Sequence, residues 1–171
     1  LVDQRLVRQA GHVPVFRAVE RGGADLVVAA LAHQVERALE IRLVGGLGAA
    51  ADELVARLRN PTPSSEPSVL SKQNVVFVAH SMGGVVVREM IARYTSLFRQ
   101  KNIGIVLLAS PSRGSDWASR ARYVARILNN KIIEQLMTDS AALDDIDMRW
   151  TNVMRDNAIP FLKGADAFET M

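Results

Sequence analysis

The stretch Asn74–Tyr94, NVVFVAHSMGGVVVREMIARY, leaves this chain the fewest choices of fold. Val75 to Ala79 are small or apolar, open on two valines and carry no charge, which is the pattern of a buried strand. His80-Ser81-Met82-Gly83-Gly84 breaks that run. From Val85 the period changes: Val87, Met90, Ile91 and Tyr94 recur at i, i+3, i+4 and i+7, one face of a helix. Arg88, Glu89 and Arg93 are expected off that face, with Glu89 and Arg93 paired at i, i+4. A strand, a tight turn and a helix with Ser81 at the apex is the geometry of a nucleophile elbow.

The spacing has a physical reason. A serine on so sharp a turn holds a strained backbone, and the residues two positions to either side come close together. Ala79 and Gly83 are small enough for this, although glycine at both places is the commoner pattern. The helix N-terminus directs free N–H groups and the positive end of its dipole at the serine oxygen. The Met82 N–H is therefore the expected oxyanion-hole donor. Gly84 is expected to let the helix pack closely on the sheet.

A second all-apolar run, Ile103–Ala109, reads as the next strand, so strand–helix–strand forms a βαβ unit with a parallel sheet covered on both faces. Ser110-Pro111-Ser112-Arg113-Gly114-Ser115-Asp116-Trp117 follows at its carboxyl end, where ligands bind in open α/β sheets. Trp117, Ala121, Val124 and Leu128 then share one helical face. Arg120, Arg122 and Arg126 share the other, a solvated face or a contact for anionic lipid headgroups. Ser140 is a candidate N-cap for a further helix lined by Leu143, Ile146, Trp150 and Val153. This helical insertion is expected to cover the active site. Ala158–Leu162 reads as a third strand, with Pro160 confined to its start or to an edge.

The first sixty residues say less. Val13-Pro14-Val15-Phe16 reads as a short strand. Ala24–Val44 reads as an amphipathic helix through Leu31, Val35, Leu39 and Leu43, ended by Gly45-Gly46-Leu47-Gly48. Ala49–Arg59 reads as a second helix and Asn60–Ser71 as a surface loop. Residues 1–171 thus make one domain: a poorly assigned helical part over 1–60, then elbow, insertion and a last strand over 72–171. The fold class expected is α/β, a three-layer αβα sandwich on a mostly parallel sheet.

Composition narrows the function. The net charge of +3 is mild and scattered, with no interleaved aromatic residues, which argues against nucleic acid as a partner. There is no cysteine, so no disulfide framework and no thiolate chemistry, a composition that suits a reducing compartment. No apolar run approaches the roughly 18 residues of a membrane span. The chain opens at Leu1 with no signal-like segment, and a fragment or processed form is expected. No cofactor or metal is expected. His12 and His33 read as structural or surface residues, and His80 as a structural residue packed under the elbow.

With VVFVAHSMGG, IVLLASPSRGSDWA and LMTDSAALDDI in place, the chain resembles lipase-type α/β-hydrolases, in particular the serine-active-site hydrolases related to GPI-inositol deacylase. The resemblance covers roughly Asn74–Thr170. It departs from the branch's usual Pro-His-x-Gly-Ser, since Ser112 stands where that histidine would be. The resemblance implies an α/β-hydrolase core and a Ser–acid–His triad that hydrolyses an ester or lipid-like small molecule through an acyl-enzyme, with contact at a membrane surface among its expectations. It places the nucleophile at Ser81. For the acid it points to Glu169 in Ala167-Phe168-Glu169-Thr170, with Asp166 and then Asp116 as alternatives. No histidine follows His80, although the general base is expected beyond the acid. A hydrolase-fold binding module without chemistry is therefore the competing reading, and acyl transfer or thioester hydrolysis by the same serine a third.

Overall fold

The computed structural model describes residues 26–31, 46–60, 68–80, 82–108, 110 and 140–167, and all that follows concerns these. Four strands form one sheet in the order β1 (Leu26–Leu31), β2 (Asn74–His80), β3 (Asn102–Leu108), β4 (Leu162–Ala167), and every neighbouring pair is parallel. The helices are α1 (Gly46–Arg59), α2 (Met82–Arg93), the single turn α3 (Thr95–Phe98) and α4 (Ser140–Arg155). This is an α/β fold on a parallel sheet.

β2 and β3 fall where their apolar runs predict, and they pair in register from Asn74↔Asn102 to His80↔Leu108. Their alternate residues make the core. Val75, Phe77 and Ala79 of β2 and Ile103, Ile105 and Leu107 of β3 are buried, whereas Val76, Val78, Gly104 and Val106 are half-buried. β2 and β3 are thus covered on one face, and a second helical layer is not found among the described residues. Phe77 meets Phe98 of α3 edge to face at 6.1 Å, so the connection after α2 plugs the core with an aromatic ring.

The helix expected over Ala24–Val44 is corrected over Leu26–Leu31, and the rest of that range lies outside the described residues. Leu26–Leu31 is a strand, paired to β2 from Leu26↔Asn74 to Leu31↔Ala79. An unbroken apolar run with two valines suits a parallel strand as well as a helix, and pairing decides it. α1 starts within the glycine cluster, at Gly46, ahead of the expected Ala49, and the Gly46 φ of +78° is costly for any residue with a Cβ. α1 then buries Leu47, Ala51, Leu54, Val55 and Leu58 against α2 and the short turn Val69–Ser71.

The last strand is also displaced from the expected Ala158–Leu162. α4 ends in a Schellman cap: Asn157 takes φ 46°, its N–H donates to the Met154 carbonyl at 3.3 Å, and the Ala158 N–H donates to the Val153 carbonyl at 3.0 Å. The cap consumes Asn157 and Ala158, Pro160 cannot extend a ladder, and pairing begins only at Leu162↔Ile103. Gly164 and Asp166 therefore lie inside the strand. The strand expected over Val13–Phe16 lies outside the described residues.

α2 is enclosed by the sheet, α1 and α4, so Met82 through Ile91 are all buried. Arg88 and Glu89, expected off the packed face, are 4% and 2% exposed. Their partners come from α4: Arg88 Nη1 lies 3.0 Å from Asp147 Oδ1, and Arg149 Nη2 donates to both oxygens of Glu89 at 2.9 and 3.1 Å. The expected Glu89–Arg93 pair is present at 3.6 Å. Arg149→Met should cost about 2 kcal/mol in urea unfolding, below the usual range for breaking a buried pair because Arg93 remains beside Glu89. Burial pushes the Glu89 carboxyl above its ordinary value, with Arg149 and Arg93 opposing. The folded chain then holds that proton in a window where the unfolded chain has released it. Glu89 ionisation therefore lowers stability as pH rises from about 4.5 through the raised value, and Glu89→Gln should remove that component from a stability–pH curve.

Candidate active site

β2 ends at His80 and α2 begins at Met82. Ser81 is the one residue between them and itself lies outside the described residues. Both flanks have the local character a strand-to-helix elbow needs. Ala79 is fully buried at the end of β2, and Met82, Gly83 and Gly84 are buried in the first turn of α2. That turn carries no acidic side chain, so the helix itself holds no charge that offsets the positive end of its dipole. The Met82 N–H is among the first four of α2, which have no partner within the helix.

Gly84 is as close to the sheet as expected. A Cβ built on it would run into Ser110 Oγ, would stand 2.7 Å from Ser110 Cβ and would stand 2.9 Å from Leu107 Cδ2. Only a glycine leaves room there. His80, in contrast, is exposed at the end of β2 and is not packed under the elbow. The alternation of β2 explains this: Val75, Phe77 and Ala79 take the buried face, and His80 follows on the other.

The parallel register brings the ends of β2, β3 and β4 level with one another. Ala79, Leu107 and Asp166 stand opposite one another, as do His80, Leu108 and Ala167. Asp166 is therefore two strands from Ala79, about 10 Å along the hydrogen-bonding direction. Glu169 follows β4 by two residues and lies outside the described residues, as does Asp116. The strands that lead to Ser81 and to Glu169 thus end on the same edge, with β3 between them.

The insertion contributes one described helix, α4, which packs beside α2. Its contact with α2 runs through the ion pairs of Arg88 and Glu89, on the buried side of the sheet. An apolar cavity of about 240 Å³ lies between α4, β3 and β4, lined by Ile105, Leu107, Trp150, Met154 and Leu162 with Arg88 at its wall. Among the described residues no three His, Asp or Glu are grouped to hold a metal ion, and no helix is long and apolar enough to cross a membrane.

Two features escaped the sequence. Ser110, read only as the start of a loop, is 2% exposed with an Oγ that has no hydrogen-bond partner among the described residues. Arg88 and Glu89 are buried, and no local spacing signals partners some sixty residues away.

Over 127 residues the chain is 28% identical to Protein SERAC1 of Danio rerio, an alignment that covers 70% of this chain and 18% of that protein. The chain thus spans less than a fifth of the relative it matches. No family model and no solved structure matches it.

Proposed function

We propose that this chain carries a serine hydrolase of the carboxylesterase or lipase type, with Ser81 as nucleophile. The observation that carries the reading is the junction of β2 and α2, where a single serine separates a buried parallel strand from the N-terminus of a buried helix with no acidic side chain in its first turn. The likeness to Protein SERAC1 supports a hydrolase-related role.

In this reading Ser81 Oγ attacks the ester carbonyl carbon as its proton passes to a base. The carbonyl oxygen takes the negative charge, and the Met82 N–H donates to it. The C–O bond to the alcohol then breaks, the alcohol leaves with the proton, and Ser81 holds the acyl group until water releases the acid. Glu169 is the preferred acid and Asp166 the alternative, since β4, which holds Asp166 and precedes Glu169 in sequence, ends level with His80, the residue before Ser81. The reading calls for a histidine base oriented by that acid, and no histidine follows His80 within these 171 residues. The substrate is an ester or lipid-like small molecule, and contact with a membrane surface is part of the same proposal.

Turnover of nitrophenyl esters from acetate to dodecanoate tests it. Saturable hydrolysis that varies with acyl length is the expected result. A folded full-length protein that leaves every ester at the buffer rate would favour a binding module built on the same fold.

A further inference from the structure

Ser110 stands two residues beyond the end of β3, buried, with a hydroxyl that has no partner among the described residues. A hydroxyl in that state costs folding free energy, and alanine would fill nearly the same space without the cost. Packing alone therefore does not account for it.

Its neighbour is Gly84. A Cβ on Gly84 meets Ser110 Oγ and, at 2.7 Å, Ser110 Cβ. The hydroxyl can rotate away, but the Cβ is fixed to the backbone of residue 110. The two residues therefore determine how near the first turn of α2 comes to the end of β3. The same turn is held from its other side. Arg88 Nε reaches the Gly84 carbonyl at 3.4 Å, while Arg88 Nη1 pairs with Asp147 of α4. That turn also carries the Met82 N–H, and its first amides have no helical acceptor.

We infer that Ser110 is a positioning residue for the elbow: through Gly84 it sets the height of the first turn of α2, and its hydroxyl is the polar group kept for that turn in the reacting state. The inference deepens the Ser81 reading and rests on it. Strand end, helix start and buried hydroxyl act as one unit, in which the hydroxyl lowers resting stability and the Met82 N–H gains its placement.

Two measurements on the full chain test it. Ser110→Ala should unfold at the wild-type temperature or above, while the second-order rate of Ser81 phosphonylation by a fluorophosphonate falls about tenfold, the weight of one ordinary hydrogen bond. A wild-type labelling rate would overturn the inference, and so would a melting temperature that falls together with the rate. The second measurement reads the contact without catalysis. Gly84→Ala should lower the melting temperature, and Ser110→Gly in the same chain should restore most of that loss. Strict additivity of the two substitutions would overturn the inference. A wild-type chain that never reacts with the probe would count against Ser81 as nucleophile, and the Gly84–Ser110 coupling would still decide the positioning contact.

Discussion

Ser81→Ala is expected to lower ester turnover by about 10⁴- to 10⁶-fold, the loss seen when the nucleophile of an acyl-enzyme mechanism is removed. The size follows from what the serine supplies. It splits one difficult displacement into two easier ones, and without it the Met82 N–H and the binding surface act only on direct attack by water. The loss should fall on kcat and kcat/KM, because the substitution removes a bond formed on the way to the transition state and leaves substrate contacts in place. The melting temperature of the variant separates this from unfolding. A variant that melts like wild type and retains a tenth of the turnover would mean that another group attacks the ester.

Phe77→Ala is expected to cost about 4 kcal/mol in urea unfolding. Phe77 sits in the middle of β2 with no exposed surface, opposite Ala29 of β1 and Ile105 of β3. Its ring also packs edge to face on Phe98, at an interplanar angle of 81°. Removing it loses the transfer free energy of the ring, the aromatic contact and the close packing between sheet and α3, because the paired strands cannot collapse into the space. A domain with about 5–15 kcal/mol in total would lose a large share of its stability. Phe161→Ala is the control: that ring is 60% exposed, and its loss should stay within about 0.5 kcal/mol. Equal costs at the two positions would contradict the core described above.

What the sequence revealed, and what it hid, divides along a physical line. β2, α2 and β3 were legible because each carries its own signal: an unbroken apolar run for strands covered by helices, a 3.6 period for the helix, and small residues where the chain must turn sharply. α4 was legible for the same reason, with Leu143, Ile146 and Val153 buried as their spacing predicts. β1 was hidden because Leu-Val-Val-Ala-Ala-Leu fits a helix and a strand equally, and its pairing with β2 across more than forty residues settles the matter. β4 was hidden because Leu-Lys-Gly-Ala-Asp-Ala has little strand character, and its partner β3 defines it. The charges on α2 were misplaced for a related reason. A helix covered on two sides buries residues that a single-stripe reading assigns to solvent, and α4 supplies an arginine and an aspartate that help make this tolerable.

The candidate site shows the same division. The glycine at position 84 was legible from the turn chemistry, and the contact that demands it, Ser110, was not. Asp166 follows the strand expected over Ala158–Leu162 and lies instead within β4, opposite Leu107. Glu169, two residues after β4 in sequence, lies outside the described residues.

The central claim is that the residue between β2 and α2 is a nucleophile. Treating the full-length protein with a fluorophosphonate and locating the adduct by mass spectrometry tests it most directly. The adduct is expected on Ser81, in the peptide that carries His80 and Met82, and Ser81→Ala should abolish it while the variant keeps its wild-type melting temperature. An adduct on another serine, or labelling that survives Ser81→Ala, would contradict the claim.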